Sequence, residues 1–560
     1  MKRSRFVSVL AVSLYIAGSM STDASAAPAW QFPAGLTNVV ASSPTSGGGY
    51  PVPAGERVPV AGTCRAGPFN ANHSESWIAL KPGTEDLVGS SKFFFDKYST
   101  FYMFYLGAHQ MPHGTPSGNN QINGYDCLST GTQAMPPSWT DTTDPNLDFD
   151  TQGRVYQVML PFNSFFDATK LHPDGEIDIS FSDDLGRTWV KGNGGVPLEP
   201  SNNASAKQAG HVEDKQWVAV NHIAGNAFQD HVYAAWAVFN GSSNGQGVKV
   251  KMAVSRDRGQ TFDGAVTIAP PSQVGAAATF VYPQIDAAGD VYLAVVSFPP
   301  NGGISTIYVA RSTDDAQTFS PFVAVTTVSA IPTAGLPNTR FRDGITESFA
   351  ASPTFQGHLY LTFEDWDTAR GQMEVKLTQS TDGGLTWSAP IIVNDNVDAA
   401  GVPTDQFQPT VAAGAGGAVA VAFYDRRAAC PTDPSVLPAD VGRANFCIDV
   451  SLQGYKDSGG GAIAVGANRR LTQFSWDPEQ PGQHLGGLSQ YPCAGARDPC
   501  PSGRGFIGDY FGLAISAKNV YAFFVSTHYA SSVTADEGGP VYYQQQVLAT
   551  VPRSALGAGY

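Results

Sequence analysis

Charge is scarce in this sequence. Asp, Glu, Lys and Arg make up 14% of its 560 residues, against about a quarter in an ordinary soluble domain. Positive charge is the scarcer sign: 33 Lys and Arg face 48 Asp and Glu, a net charge of −15. A nucleic-acid binder needs a basic footprint, so that class is excluded. The overall field also disfavours anionic polymers, leaving only a local basic pocket to hold a single anionic group. Beyond the N-terminus no run reaches the 18 apolar residues of a membrane span, which excludes membrane insertion. Metal motifs are missing too: there is no C-x-x-C, no histidine at ligand spacing and no EF-hand-like loop. No metal and no cofactor is expected.

What the chain has in quantity is breakers and rings. Its 60 Gly and 39 Pro are more than a helical bundle could absorb, yet they fall short of the roughly 25–30% of a low-complexity chain. With 42% hydrophobic and 11% aromatic residues, material for a core is ample. Length alone suggests several domains, but all-β closed folds often exceed that prior.

Residues 1–26 read as a secretory signal peptide. Lys2, Arg3 and Arg5 form its charged start, Phe6 to Met20 its apolar run, and Ala24-Ser25-Ala26 an A-x-A cleavage site. Export to an extracellular or periplasmic space is expected, and with it an oxidising compartment that suits six cysteines. Fifteen connectivities are open. Local loop closure favours Cys493–Cys500 and Cys430–Cys447, leaving Cys64–Cys127, with a zinc site as the rival reading.

Four segments share the pattern S-x-D-x-G-x-T-[WF]: SDDLGRTW from Ser182, SRDRGQTF from Ser255, STDDAQTF from Ser312 (Ala316 replacing Gly) and STDGGLTW from Ser380. Each reads as a tight turn between strands. Asp184, Asp257, Asp314 and Asp382 are expected to serve buried turn amides, and the closing ring to pack inward. Strand-like segments recur upstream, starting near Glu75, Asp144, Lys215, Tyr282, Glu347 and Gln408 at intervals of 61 to 71 residues, then at Tyr510 after 102. Each is followed by further β-rich runs such as HVYAAWAVF from His231 and DVYLAVVSF from Asp290. One four-stranded sheet, repeated around an axis, is a β-propeller. The expected fold is therefore all-β, with seven blades preferred over six, across residues 67–560. Residues 27–66 are expected to wrap the outside, and a cysteine-containing insertion to occupy about 427–504.

The turns resemble the Asp-box (BNR) repeats of the sialidase superfamily, and DKQWVAV and FIGDYFGLA resemble segments of secreted exo-α-sialidase-like proteins. The resemblance covers four of the seven units directly and the others by strand pattern. It implies a propeller whose Asp boxes lie away from the active face, so they mark fold and not catalysis. It also implies three arginines on a substrate carboxylate, a Tyr nucleophile with a Glu base, and an Asp acid/base. The family's early Arg-Ile-Pro has no counterpart in the first repeat, the nearest match being Arg57-Val58-Pro59 upstream of it, and sialidases have six blades.

The starts of the inner strands converge on one mouth of the channel. That brings together Glu75, Asp144, Lys215, Tyr282, Glu347, Gln408 and Tyr510, with Asp214 and Asp509 one step earlier. Such a mixture suits acid/base chemistry or an anion site; the alternative is polar residues that merely solvate strand ends. Tyr510 is the candidate nucleophile, Glu347 its base and Asp214 the acid/base. Arg340, Arg342, Arg426, Arg427 and Arg504, with Lys215, are the candidate substrate clamps, although Asp425-Arg426-Arg427 reads better as an ion-paired strand end. The leading function is a sialidase-like glycoside hydrolase, a monomer acting on an extracellular, acidic glycan. A non-catalytic carbohydrate- or protein-binding propeller and a polysaccharide lyase are the alternatives. An arginine cluster with a Tyr–Glu pair favours the first. An aromatic mouth without paired carboxylates favours the second.

Overall fold

A computed structural model describes residues 30–42, 73–94, 104–121, 141–162, 175–200, 211–240, 247–275, 277–299, 304–331, 336, 339, 341, 343–344, 347–396, 404–428, 447–478, 484–485, 488–489, 506–530, 544–557 and 559–560. Seven antiparallel sheets form seven blades. In blade three the strands His211–Val220, Val232–Asn240, Lys249–Ser255 and Val266–Ala269 pair in chain order from the axis outward. Blades one, four, five and six repeat that order. Blade two differs only in its inner strand, which is broken into Asp141–Thr143 and Asp148–Phe149.

Blade seven closes the circle. Its first three strands are Gly512–Ile515, Asn519–Ser526 and Gln545–Pro552, and its outermost strand is the N-terminal Thr37–Val40. Joining the two ends of the chain in one sheet leaves no blade missing its outer strand. Thr37–Val40 falls within the expected outer wrap. Part of the expected insertion proves to be sheet: Asp449–Asp457 and Ala462–Arg470 are the third and fourth strands of blade six. They escaped notice because their connecting turn, DSGGGA, lacks the S-x-D-x-G pattern. There Asp457 accepts bonds directly from the amides of Gly459 and Gly461, at 2.7 and 3.2 Å.

Second strands are sandwiched between neighbouring blades, which is why they read as unbroken apolar runs and not as alternation. All eight residues of Ala418–Asp425 are buried. Tyrosines in these strands reach carboxylates across blade boundaries. Tyr233 donates to Asp315 (2.7 Å), Tyr360 to Asp457 and Tyr521 to Glu85 (both 2.6 Å). A buried phenol thereby stays satisfied while locking two sheets together.

All four S-x-D turns connect third and fourth strands. In the last, Ser380 Oγ accepts the buried Gly384 N–H at 2.9 Å and donates to Asp382 Oδ1 at 2.8 Å. The Asp382 carboxylate accepts from the Thr386 amide and hydroxyl at 2.9 and 2.6 Å, both on the exposed side. The other three copies repeat these bonds. This corrects the expectation for the aspartates: the buried amide is served by serine. Ser380→Ala should therefore cost about 1–3 kcal/mol, and Asp382→Ala about 0.5–1 kcal/mol, read as shifts in denaturant midpoint. Equal losses would overturn that division of roles.

Candidate active site

In a four-stranded antiparallel blade, the start of the first strand, the second-to-third connection and the end of the fourth strand share one face. The S-x-D turns therefore lie on the opposite face from the inner-strand starts. At those starts the ladder register slips in blades one, three, four and six, between Ser74 and Trp77, Asp214 and Trp217, Thr279 and Tyr282, and Phe407 and Thr410. Each slip is a bulge whose first residue takes a left-handed backbone: Glu75 (φ 49°), Lys215 (51°), Phe280 (54°) and Gln408 (45°). Asp144, between the two inner pieces of blade two, does the same at φ 57°. Such conformations cost of order 1–3 kcal/mol each and concentrate where side chains are aimed for function. Phe280, and not Tyr282, holds the bulge of blade four. Tyr282 sits two residues further in, level with Trp77 and Trp217.

Lys215 organises the mouth. Its ammonium donates to Asp509 at 2.9 Å and to Asp144 at 3.4 Å, and lies 3.9 Å from Glu75. Lys92 adds a second ammonium, 2.8 Å from Glu75 and bonded to Thr143 Oγ1 at 3.0 Å. All of these groups are buried. Burial alone would neutralise Lys215, but Asp144, Asp509, Glu75 and Asp214 outweigh it and hold its pKa well above normal.

The carboxyls are driven apart. Burial pushes Asp144 up, yet Lys215 and Lys92 hold its pKa below the usual value. Asp214 shares the backbone N–H of Lys215 with Asp144, at 2.9 and 3.1 Å. Burial first, and then the charge of Asp144, push Asp214 up to about 7. One member of the pair is thus ionised and the other protonated below neutrality. Burial likewise raises Glu347 well above normal, and among the described residues no side chain or backbone group of another residue bonds its carboxyl oxygens.

Tyr510 is buried and its hydroxyl donates to the Pro145 carbonyl at 3.1 Å. Burial raises its pKa, followed by the charges of Glu75 and Asp144. Glu347 instead acts on Tyr282, where it is the largest charge effect after burial. After burial, Glu75 and Asp144 are therefore the charges that act most on Tyr510, and Glu347 the one that acts most on Tyr282. A carboxyl held neutral is also a poor proton acceptor. Beneath the ring, Trp217 packs edgewise on Trp77 (4.5 Å), Tyr282 (4.6 Å) and Tyr510 (5.2 Å). This aromatic floor separates the mouth from a cavity of about 360 Å³ at the other ends of the inner strands, lined by Leu80, Val220, Ile285 and Ala351 among others.

No protein-family profile matches the sequence, and no curated protein matches it. Solved structures resemble the fold. A Dyadobacter fermentans protein of unknown function is 13% identical with a TM-score of 0.43, covering 64% of this chain and 91% of its own. A Hadza microbial sialidase is 13% identical at 0.40, covering 82% and 75%. The α-L-arabinofuranosidase of Fusarium graminearum is 12% identical at 0.37, covering 74% and 93%. The likeness concerns the architecture and transfers no site residue.

The arginines do not form a clamp among the described residues. Arg426 is fully buried and donates to Asp405 at 3.2 Å. Arg427 donates to Asp425 at 2.7 Å and to Asp395 at 2.8 Å. Both serve the strand end that carries them. Arg340, Arg342 and Arg504 lie outside the described residues, as do residues 1–26 and Cys64, Cys127, Cys430, Cys493 and Cys500. Cys447 is buried and disulfide-bonded. Among the described residues no group of His, Cys, Asp and Glu could hold a metal ion, and no helix is long and apolar enough to cross a membrane. Lys92 and Asp343 were missed from sequence. Asp343 is raised to about 8 by burial and donor-linked to Gln408 at 3.4 Å, while Lys92 betrayed itself only as a lone cation in the apolar run SSKFFF.

Proposed function

We propose that the protein is a secreted glycoside hydrolase whose reaction takes place at the Lys215 mouth, on the terminal sugar of an acidic extracellular glycan. The observation that carries this reading is the Asp144–Asp214 pair. One carboxyl is kept ionised and its neighbour protonated, the division of labour that glycoside cleavage requires. Asp214 donates its proton to the departing glycosidic oxygen. Tyr510 attacks the anomeric carbon, its phenolic proton passing to Asp144. Water then cleaves the tyrosyl bond, with Asp214, now ionised, taking the water's proton and Asp144 returning its proton to the departing Tyr510 oxygen. Lys215 holds Asp144 in its ionised form. Paired carboxylates at the mouth favour this reading over a non-catalytic binding propeller, and the burial of the ring favours a chain end over a mid-chain substrate.

The test is release of a chromogenic aglycone from a panel of glycosides, sialosides and arabinofuranosides included, by the purified mature protein. Turnover of one glycoside, with loss at alkaline pH, is the expected result. No release from any glycoside, together with retention of a glycan on an array, would replace this reading with that of a binding module.

A further inference from the structure

We propose that Phe474 and His528 form an outer sugar-stacking subsite on the face that carries the Lys215 mouth, holding the part of a glycan beyond the residue that is cleaved. The inference rests on the glycosidase reading for its orientation, but its geometry stands independently. Phe474 follows the end of the fourth strand of blade six, and His528 follows the second strand of blade seven. Both positions belong to the face of the inner-strand starts. Phe474 is 49% exposed, and its ring lies parallel to that of His528, with centroids 4.1 Å apart and planes within 7°.

An exposed ring is ordinary, but this pair is built into place. Tyr529 packs edgewise against both rings, at 6.4 Å to Phe474 and 5.1 Å to His528. Its carbonyl accepts Gln545 Nε2 at 2.7 Å. Thr527 Oγ1 donates to the Asp477 carbonyl at 2.6 Å and ties the two segments together. The Gln473 amide is held by Asn38 Oδ1 at 2.7 Å. Burial lowers the pKa of His528, so the imidazole is neutral at pH 7 and stacks as a ring. Stacked face to face, the pair leaves the outward face of the exposed Phe474 ring to match the C–H face of a pyranose, whose edge hydroxyls stay in solvent. Tyr529 packs against the buried core cluster that holds Trp476, Tyr424 and Phe511. Trp476 meets Tyr424 at 6.0 Å, Tyr424 meets Phe511 at 4.7 Å, and Phe511 is the neighbour of Tyr510.

The test uses the full mature chain carrying Asp214→Asn to prevent turnover, titrated with fluorescently labelled oligosaccharides, neutral and carboxylated. Phe474→Ala and His528→Ala should each weaken binding by about tenfold. Leu385→Ala, also exposed but on the opposite face, should leave it unchanged. Binding that is indifferent to Phe474→Ala, or no binding of any oligosaccharide, would overturn the subsite. Hydrolysis of simple aryl glycosides by the unmodified protein reports on the catalytic reading separately. An active enzyme with unaltered binding sinks the subsite alone. An inactive protein whose binding falls with Phe474→Ala sinks the catalytic reading and keeps the subsite.

Discussion

Lys215→Met should destabilise the propeller by about 3–5 kcal/mol. The substitution keeps the apolar stem and deletes a buried ammonium that faces Asp509, Asp144 and Glu75. Breaking a buried ion pair from one side leaves the remaining charge desolvated, which costs more than the pair contributed. Here three carboxylates from three different blades lose their common partner. The defect should depend on pH, and its sign follows from the shifts. In the unmodified protein Asp144 has a lowered pKa, so its contribution is present above the ordinary Asp value and lost as pH falls through the folded one. In the variant the orphaned carboxyls have raised pKa values, so their penalty is fully present at neutral pH and shrinks as they take up protons. The gap in denaturant midpoint between the two proteins should therefore narrow as the solution is taken from pH 7 toward pH 4. A gap that is constant with pH, or a loss below about 1 kcal/mol, would mean that Lys215 is not the keystone of the mouth.

The architecture was legible because a propeller writes itself into its sequence several times. Each copy of S-x-D-x-G-x-T marks one turn, and most inner strands carry a polar residue ahead of an apolar run. Where the repeat was broken, reading failed. The DSGGGA turn of blade six caps amides at the same two- and four-residue spacing with Asp457 in place of serine, so the S-x-D pattern does not mark its two strands. The convergence of Glu75, Asp144, Lys215 and Tyr510 on one mouth followed from counting blades, since strand starts on a closed ring must face one another. Their pairings did not follow. A one-residue bulge puts Phe280 and not Tyr282 at the strand start of blade four, and a slip of that size is invisible in a string of Val, Phe and Tyr. The arginines illustrate the same limit. Arg426 and Arg427 occupy the right face, but Asp405, Asp425 and Asp395 claim them, and those partners lie up to 32 residues away in the chain.

The largest catalytic effects should come from Asp214→Asn and Tyr510→Phe. Asparagine reproduces the shape of Asp214 and can still accept the Lys215 N–H, but it has no proton to give. Turnover of glycosides with poor leaving groups should fall at least about a hundredfold, or ~2.7 kcal/mol in barrier, while aryl glycosides with good leaving groups should lose much less. In the unmodified enzyme kcat/KM should decline above about pH 7, where Asp214 loses its proton, and the variant's residual activity should show no such limb. Stability gives an independent check. The folded pKa of Asp214 lies above its unfolded value, so the native state loses stability as pH rises from about 4 to 7. The neutral variant escapes that loss and should become the more stable protein at pH 8. Tyr510→Phe removes the one oxygen proposed to attack and keeps the ring that packs on Trp217 at 5.2 Å. It breaks only the bond to the Pro145 carbonyl, at 3.1 Å. A loss of at least about a hundredfold in kcat for every leaving group, with little change in melting temperature, is the expected result. The two variants should thus be separable: Asp214→Asn spares good leaving groups and Tyr510→Phe spares none. Near wild-type turnover by Tyr510→Phe would remove it as nucleophile, and an Asp214→Asn enzyme that keeps its alkaline limb would move the acid to another carboxyl of the ring.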